Sequence, residues 1–177
     1  IFPHSQLMIL SYNRVVKDLN GMSETEFIAK VQEKFDLHPC SRKDCRAEYP
    51  HYFGMYLNKA WYKLVAKADS YDEENLQERL DVSILQENLL KPVLGIENPR
   101  TDKRINFVGG IRGIKELERL VDQGDYAVAF SLYPTSIKEL MEISDAGLIM
   151  PPKSTWFEPK LRDAMVVQMV PCRFAEK

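Results

Sequence analysis

No apolar run in these 177 residues approaches the ~20 needed to span a bilayer, and the start Ile1-Phe2-Pro3 has neither a basic leader region nor a signal-like apolar core. A soluble, cytoplasmic protein without membrane contact is the expectation. Cysteine is scarce, and its odd count of three argues against a disulfide framework. Net charge is scarce as well. The 24 basic and 26 acidic residues cancel to −2, so no global field draws the chain to nucleic acid and any anion site must be local. There is no Gly-x-Ser-x-Gly elbow, dinucleotide glycine motif, internal repeat or low-complexity segment. Only three histidines occur. A hydrolytic triad contained in this chain is therefore not expected.

With 45% hydrophobic residues the chain can build a real core of single-domain size. It lacks an initiator methionine and opens on apolar residues that read as a strand end, which points to a fragment of a larger parent. Leu7–Leu10 reads as a strand, and Ser11–Val16 as its continuation into a turn or helix start. Ser23 with Glu26 is a capping box, Met22 and Phe27 sit at staple positions, and Phe27, Val31 and Phe35 recur at helical spacing. The expected helix covers about 24–35. Residues 36–50, polar and with two prolines, read as a loop or variable insertion. Tyr52–Leu57 and Trp61–Ala66 read as a hairpin turning at Asn58-Lys59. After an acidic connector, Asp81 is expected to cap a helix bearing Val82, Leu85, Leu89 and Val93, limited or kinked by Pro92. Ile105–Val108 reads as a strand, Gly109-Gly110 as a turn, and Ile114, Leu117, Leu120 and Val121 as a helix face stopped by Gly124. Tyr126–Leu132 reads as a buried strand. Ser136 and Glu139 form a second capping box for a helix closed by Gly147, and Ala164–Val170 reads as a last strand. The class is α+β, a mixed sheet with helices packed on it, in a single domain.

Three segments carry candidate chemistry. Met150 to Lys160 packs three prolines, two lysines, two hydroxyls and an aromatic pair into eleven residues. It reads as a stiff loop presenting Lys153, Ser154, Thr155 and Lys160 to an anion, with Trp156 and Phe157 anchoring it or walling a pocket. Lys153-Ser154-Thr155 echoes the end of a Walker loop, but Pro151-Pro152 replaces the glycines such a loop needs. Arg104 to Gly113 reads as strand, glycine turn and helix start. There the backbone at Gly109 and Gly110 could cradle a phosphate or carboxylate and Arg104 or Arg112 clamp its oxygens; a tight turn needing positive φ is the alternative. Asn13 and Arg14 are a third candidate, an ion pair at the core edge being the alternative. His38, Cys40, Cys45 and His51 lie within fourteen residues, but their spacing is poor for zinc and no metal site is expected.

Tyr12-Asn13-Arg14-Val15-Val16 with Asp18-Leu19-Asn20-Gly21, Leu80 to Gln86, Arg104 to Gly110 and Met150 to Lys160 together resemble one family. It is the large prokaryotic family of unknown function catalogued as number one thousand and fifteen, often labelled ParB-like. The resemblance covers nearly the whole chain and implies that it is the C-terminal half of proteins about twice its size. It implies an upstream Asp-Gly-His-His-Arg motif, absent here, as the phosphate and catalytic centre. Kinases of free L-serine in the same ParB and sulfiredoxin-like group make phosphoryl transfer to a small hydroxylated metabolite the implied activity of the parent. No cofactor is expected in the fragment, and magnesium with ATP, ADP or pyrophosphate in the parent. Asn13, Arg14, Arg104, Gly109, Gly110, Arg112, Lys153, Ser154, Thr155 and Lys160 would supply substrate or phosphate contacts. The alternative is a non-catalytic ligand-binding or interaction module; a DNA-binding role is weakest, with no basic stripe. The partners implied are the upstream domain and a small anionic or hydroxylated metabolite. A cut strand at Ile1-Phe2 would leave an edge on which a homodimer could form.

Overall fold

The computed structural model describes residues 7–160. Six strands form one sheet in the order β3(Phe35–Cys40), β5(Ala60–Ala66), β4(Tyr52–Leu57), β7(Val128–Leu132), β2(Tyr12–Val16), β6(Ile105–Gly109). A two-stranded ribbon pairs β1(Met8–Leu10) with β8(Trp156–Glu158). The α+β class holds. Every strand pair among the described residues is antiparallel, in place of the mixed sheet suggested by interleaved helices and strands.

Strand alternation divides the interior into two cores. Val16, Met55, Leu57, Val128 and Phe130 face one side, under α1(Glu24–Lys34), α2(Asp81–Leu85) and Ile143 of α4(Ile137–Asp145). Val15, Tyr56, Trp61, Val108 and Ala129 face the other, under Leu117 of α3(Ile114–Asp122). All five residues of β7 are buried, as expected of a strand covered on both faces.

The local signals form as their chemistry dictates. Both capping boxes close, Ser23 with Glu26 and Ser136 with Glu139. Asn58 and Lys59 take φ of 45° and 64°, the two left-handed residues that a tight hairpin turn requires. Gly124 and Gly147 end α3 and α4 with positive φ.

Four expectations are corrected. Tyr12–Val16 is a strand within the sheet, not a turn or helix start. Phe35–Cys40 is a strand rather than loop; Pro39 is tolerated because β3 is an edge strand, where a missing N–H need cost no ladder bond. Asp81 does not cap α2, whose N-cap is Leu80; it is the first helical residue and its Oδ1 accepts the His51 N–H at 2.8 Å. Pro92 acts further upstream than expected. Lacking an N–H, it follows a widened turn over Gln86–Leu90, where the Lys91 N–H reaches back five residues to the Gln86 carbonyl at 2.9 Å. Ala164–Val170 and Ile1-Phe2 lie outside the described residues, and no helix among those described is long and apolar enough to cross a membrane.

Candidate functional site

Successive residues of β2 point to opposite faces of the sheet, so Asn13 and Arg14 serve different clefts. Arg14 is only 4% exposed, yet no carboxylate pairs with it among the described residues. Its guanidinium donates to the Tyr12 carbonyl and, through Nη2, to the Lys153 carbonyl at 3.1 Å, and lies 5.4 Å from the Phe107 ring centroid. Burial pulls its pKa down to about 9, partly offset by Tyr12, and at neutral pH it stays cationic. A buried cation whose charge is met only by carbonyls and rings is costly unless an anion completes it.

Arg14 reaches the wall of a cleft of about 610 Å³, a size suited to a small metabolite. Tyr71, Val82, Ser83, Pro151 and Pro152 line it with Arg14. Two polar residues of its wall are fixed by the fold: the Gln86 amide donates to the Ile96 carbonyl at 2.7 Å, and the Asn88 amide to the carbonyls of Ser70 and Ile84. Tyr71 continues into a partly buried network. His51 Nε2 lies 3.2 Å from the Arg79 carbonyl and must carry a proton, so in the neutral ring Nδ1 accepts from the Tyr71 hydroxyl at 2.7 Å. Asp81 stands behind them. Burial raises its carboxyl to about 7, opposed by the His51 N–H and reinforced by Glu139, and Oδ2 has no hydrogen-bond partner among the described residues.

The proline-rich loop gives Pro151 and Pro152 to the wall of this cleft and is held down by its own side chains. Lys153 adopts φ of 57°, turning its carbonyl to Arg14 and placing its ammonium 5.6 Å from the Tyr12 ring centroid. Ser154 is buried; its hydroxyl donates to the Pro151 carbonyl at 2.8 Å and its carbonyl accepts from Thr135 Oγ1 at 3.2 Å. Trp156 anchors the loop and does not wall the cleft, packing edge-on to Tyr12 at 5.3 Å and donating to Glu158 at 2.6 Å. Lys160 rests over the Trp156 ring at 3.8 Å, and Thr155 is half-buried.

The remaining expected contacts lie away from the Arg14 cleft, and only Gly110 and Arg112 among them line clefts on the Asn13 side of the sheet. Arg104 spends its guanidinium on the carbonyls of Leu94 and Gly95, on Asp102 and on Asp18, and lines neither cleft. Neither Gly109 nor Gly110 has positive φ. They are glycines for want of room: a Cβ on Gly109 would lie 2.6 Å from Trp156 ring atoms, and one on Gly110 2.6 Å from Ser11 Oγ. Arg112 is exposed beside the start of α3, 3.8 Å from Glu116. The His38, Cys40, Cys45 and His51 set does not close on a centre: the Cys40 and Cys45 thiols come within hydrogen-bonding reach of each other, but His38 is exposed on β3 and His51 is engaged with Tyr71 and Arg79. No group of three or more potential metal ligands occurs among the described residues. Sequence reasoning missed Tyr71 and the His51–Asp81 network, which converge only through the packing of α2 on the sheet. Ser83 stood within a quoted motif, without a role.

A family model described as "Protein of unknown function (DUF1015)" matches residues 1–83. No curated protein matches the chain. Among solved structures, a free serine kinase in complex with AMP is similar at 13% identity and a TM-score of 0.51, over 86% of this chain and 54% of that one. A conserved hypothetical protein from Pyrococcus furiosus is similar at 14% identity and a TM-score of 0.50, over 85% of this chain and 56% of that one. The likeness is one of fold, and the chain spans about half the length of the structures it matches.

Proposed function

We propose that this chain is the C-terminal, substrate-side half of a small-molecule phosphotransferase, with free L-serine as the leading substrate. The observation that carries the reading is Arg14, a buried cation without a carboxylate partner among the described residues, at the wall of a 610 Å³ cleft. The fold shared with a free serine kinase supports it. In this reading the Arg14 guanidinium binds a carboxylate or phosphate oxygen of the metabolite, Ser83 and Tyr71 contribute hydroxyls, and the loop around Lys153 keeps water out. The upstream half of the parent brings the phosphate donor, whether ATP, ADP or pyrophosphate. Magnesium bound to that donor would neutralise charge on the transferred group, and the described residues of this chain hold no cluster of ligands for it.

A second reading, a non-catalytic ligand-binding module for the upstream domain, draws on the fact that Arg104 and Ser154 are spent on the fold. One experiment separates the two. The full-length parent is incubated with L-serine and magnesium and, separately, each phosphate donor, and O-phosphoserine is sought by mass spectrometry. Product that disappears in a folded Arg14→Gln variant supports the kinase reading. Absence of product with every donor, with ligand binding retained, supports the module.

A further inference from the structure

We propose that a second anion site, built for the phosphate of a phosphomonoester, lies on the opposite face of the sheet from Arg14, at the N-terminus of α3. It requires no phosphotransfer and does not depend on the reading of the Arg14 cleft.

Two adjoining clefts, of about 210 and 440 Å³, share Arg46, Gly113 and Ile114 in their walls. Helix α3 enters between them with no side-chain cap. Its N-cap is Gly113, at φ 69°, and the N–H groups of Ile114 and Lys115 find no protein acceptor among the described residues. Such donors carry the partial positive charge of the helix end.

The independent observation is Asn13. It is 2% exposed and lines the smaller cleft. Its Oδ1 accepts the Leu132 N–H at 3.2 Å, which fixes the orientation of the amide. The NH₂ group is then left without a protein partner among the described residues. This donor of an otherwise buried side chain opens onto the wall of a polar cleft, where a ligand oxygen can accept from it.

The surroundings select an anion. Arg42, Lys43, Arg46, Arg112 and Lys115 line the larger cleft against one carboxylate, Glu48. Arg42 is held by Glu118 at 2.6 Å, and Arg112 is 3.8 Å from Glu116. Lys43, Arg46 and Lys115 make no ion pair among the described residues and are available to a ligand. The smaller cleft suits a phosphate group held by Asn13, the first N–H groups of α3 and Arg46. The larger leaves room for the organic remainder of the ester.

The test titrates the protein with inorganic phosphate, O-phosphoserine and AMP, followed by calorimetry and by the side-chain amide signal of Asn13 in nitrogen-15 NMR. Binding of at least one phosphate that moves this signal is expected, weakened at least tenfold in the Arg46→Ala/Lys115→Ala double variant and retained in Arg14→Gln. The tightest of the three ligands names the source of the phosphate. Both changed side chains belong to exposed or solvent-facing positions, so folding is checked simply by an unaltered melting temperature. No binding, binding that leaves the Asn13 amide unmoved, or equal affinity in the double variant would overturn the site.

Discussion

Arg14 Nη2 donates to the carbonyl of Lys153 across 3.1 Å, joining strand β2 to a loop 139 positions later. The lysine that looked like an anion ligand in the sequence contributes its backbone to orienting an arginine. Its left-handed backbone, φ 57°, is what turns that carbonyl inward.

Arg14 therefore separates binding from stability. Arg14→Met removes a buried charge while keeping an apolar stem, so the melting temperature should hold or rise while ligand affinity falls at least tenfold. Thermal melts and ligand titration of the protein check this together. Affinity equal to wild type would remove Arg14 from the site.

Gly109→Ala should cost about 1–3 kcal/mol, since the added Cβ lies 2.6 Å from Trp156 ring atoms on the same face as Tyr12. Displacement of the indole should shift its fluorescence and loosen the β1–β8 ribbon. Unchanged stability and emission would show that the glycine is not there for Trp156.

Asp81 gives a pH dependence of definite sign. Its carboxyl is raised from 3.8 to about 7, chiefly by burial, so the folded chain keeps a proton that the unfolded chain releases. This contribution to stability is complete below pH 4 and is lost as pH rises to 7. Asp81→Asn should flatten that part of the stability profile and exceed wild type at pH 8 by an amount bounded at about 4 kcal/mol. Denaturant melts across pH 4–8 measure it, and parallel profiles for the two proteins would contradict it.

Glu118 is 8% exposed and accepts from Trp61 Nε1 at 2.7 Å and from Arg42 Nε at 2.6 Å. Glu118→Ala strands a buried indole N–H and should cost about 2–4 kcal/mol. Glu118→Gln keeps an acceptor for Trp61 and gives up an ion pair with a half-exposed arginine, a loss of about 1 kcal/mol or less. Equal destabilisation by both changes would assign the weight to charge instead of the indole.

What could be read along the chain was what is decided within a few residues. Ser23 with Glu26, Ser136 with Glu139, the Asn58-Lys59 turn and the glycines after α3 and α4 each complete their own hydrogen bonds locally. Strand β3 escaped notice because Pro39 and its polar neighbours argue against a central strand and say nothing of an edge. Gly109 and Gly110 were noticed as glycines but for another reason, because their constraint is set by Trp156 and Ser11, neither of them a neighbour in sequence. Arg14 was picked out without its cleft, and Arg46 was not picked out at all, since charge on a loop becomes a site only when a helix end is folded against it.

The strand order has a kinetic consequence. In the sheet β2 lies between β6 and β7, and Arg14 pairs with Phe130. The hairpin of β4 and β5 can close within residues 52–66, whereas β2 finds no partner until segments some ninety or more positions downstream have been synthesised. During that interval Val15 and Val16, fully buried in the finished fold, face the ribosome exit and its surroundings bare. Such long-range antiparallel closure is slow and leaves apolar strand surface open to aggregation while the chain is being made.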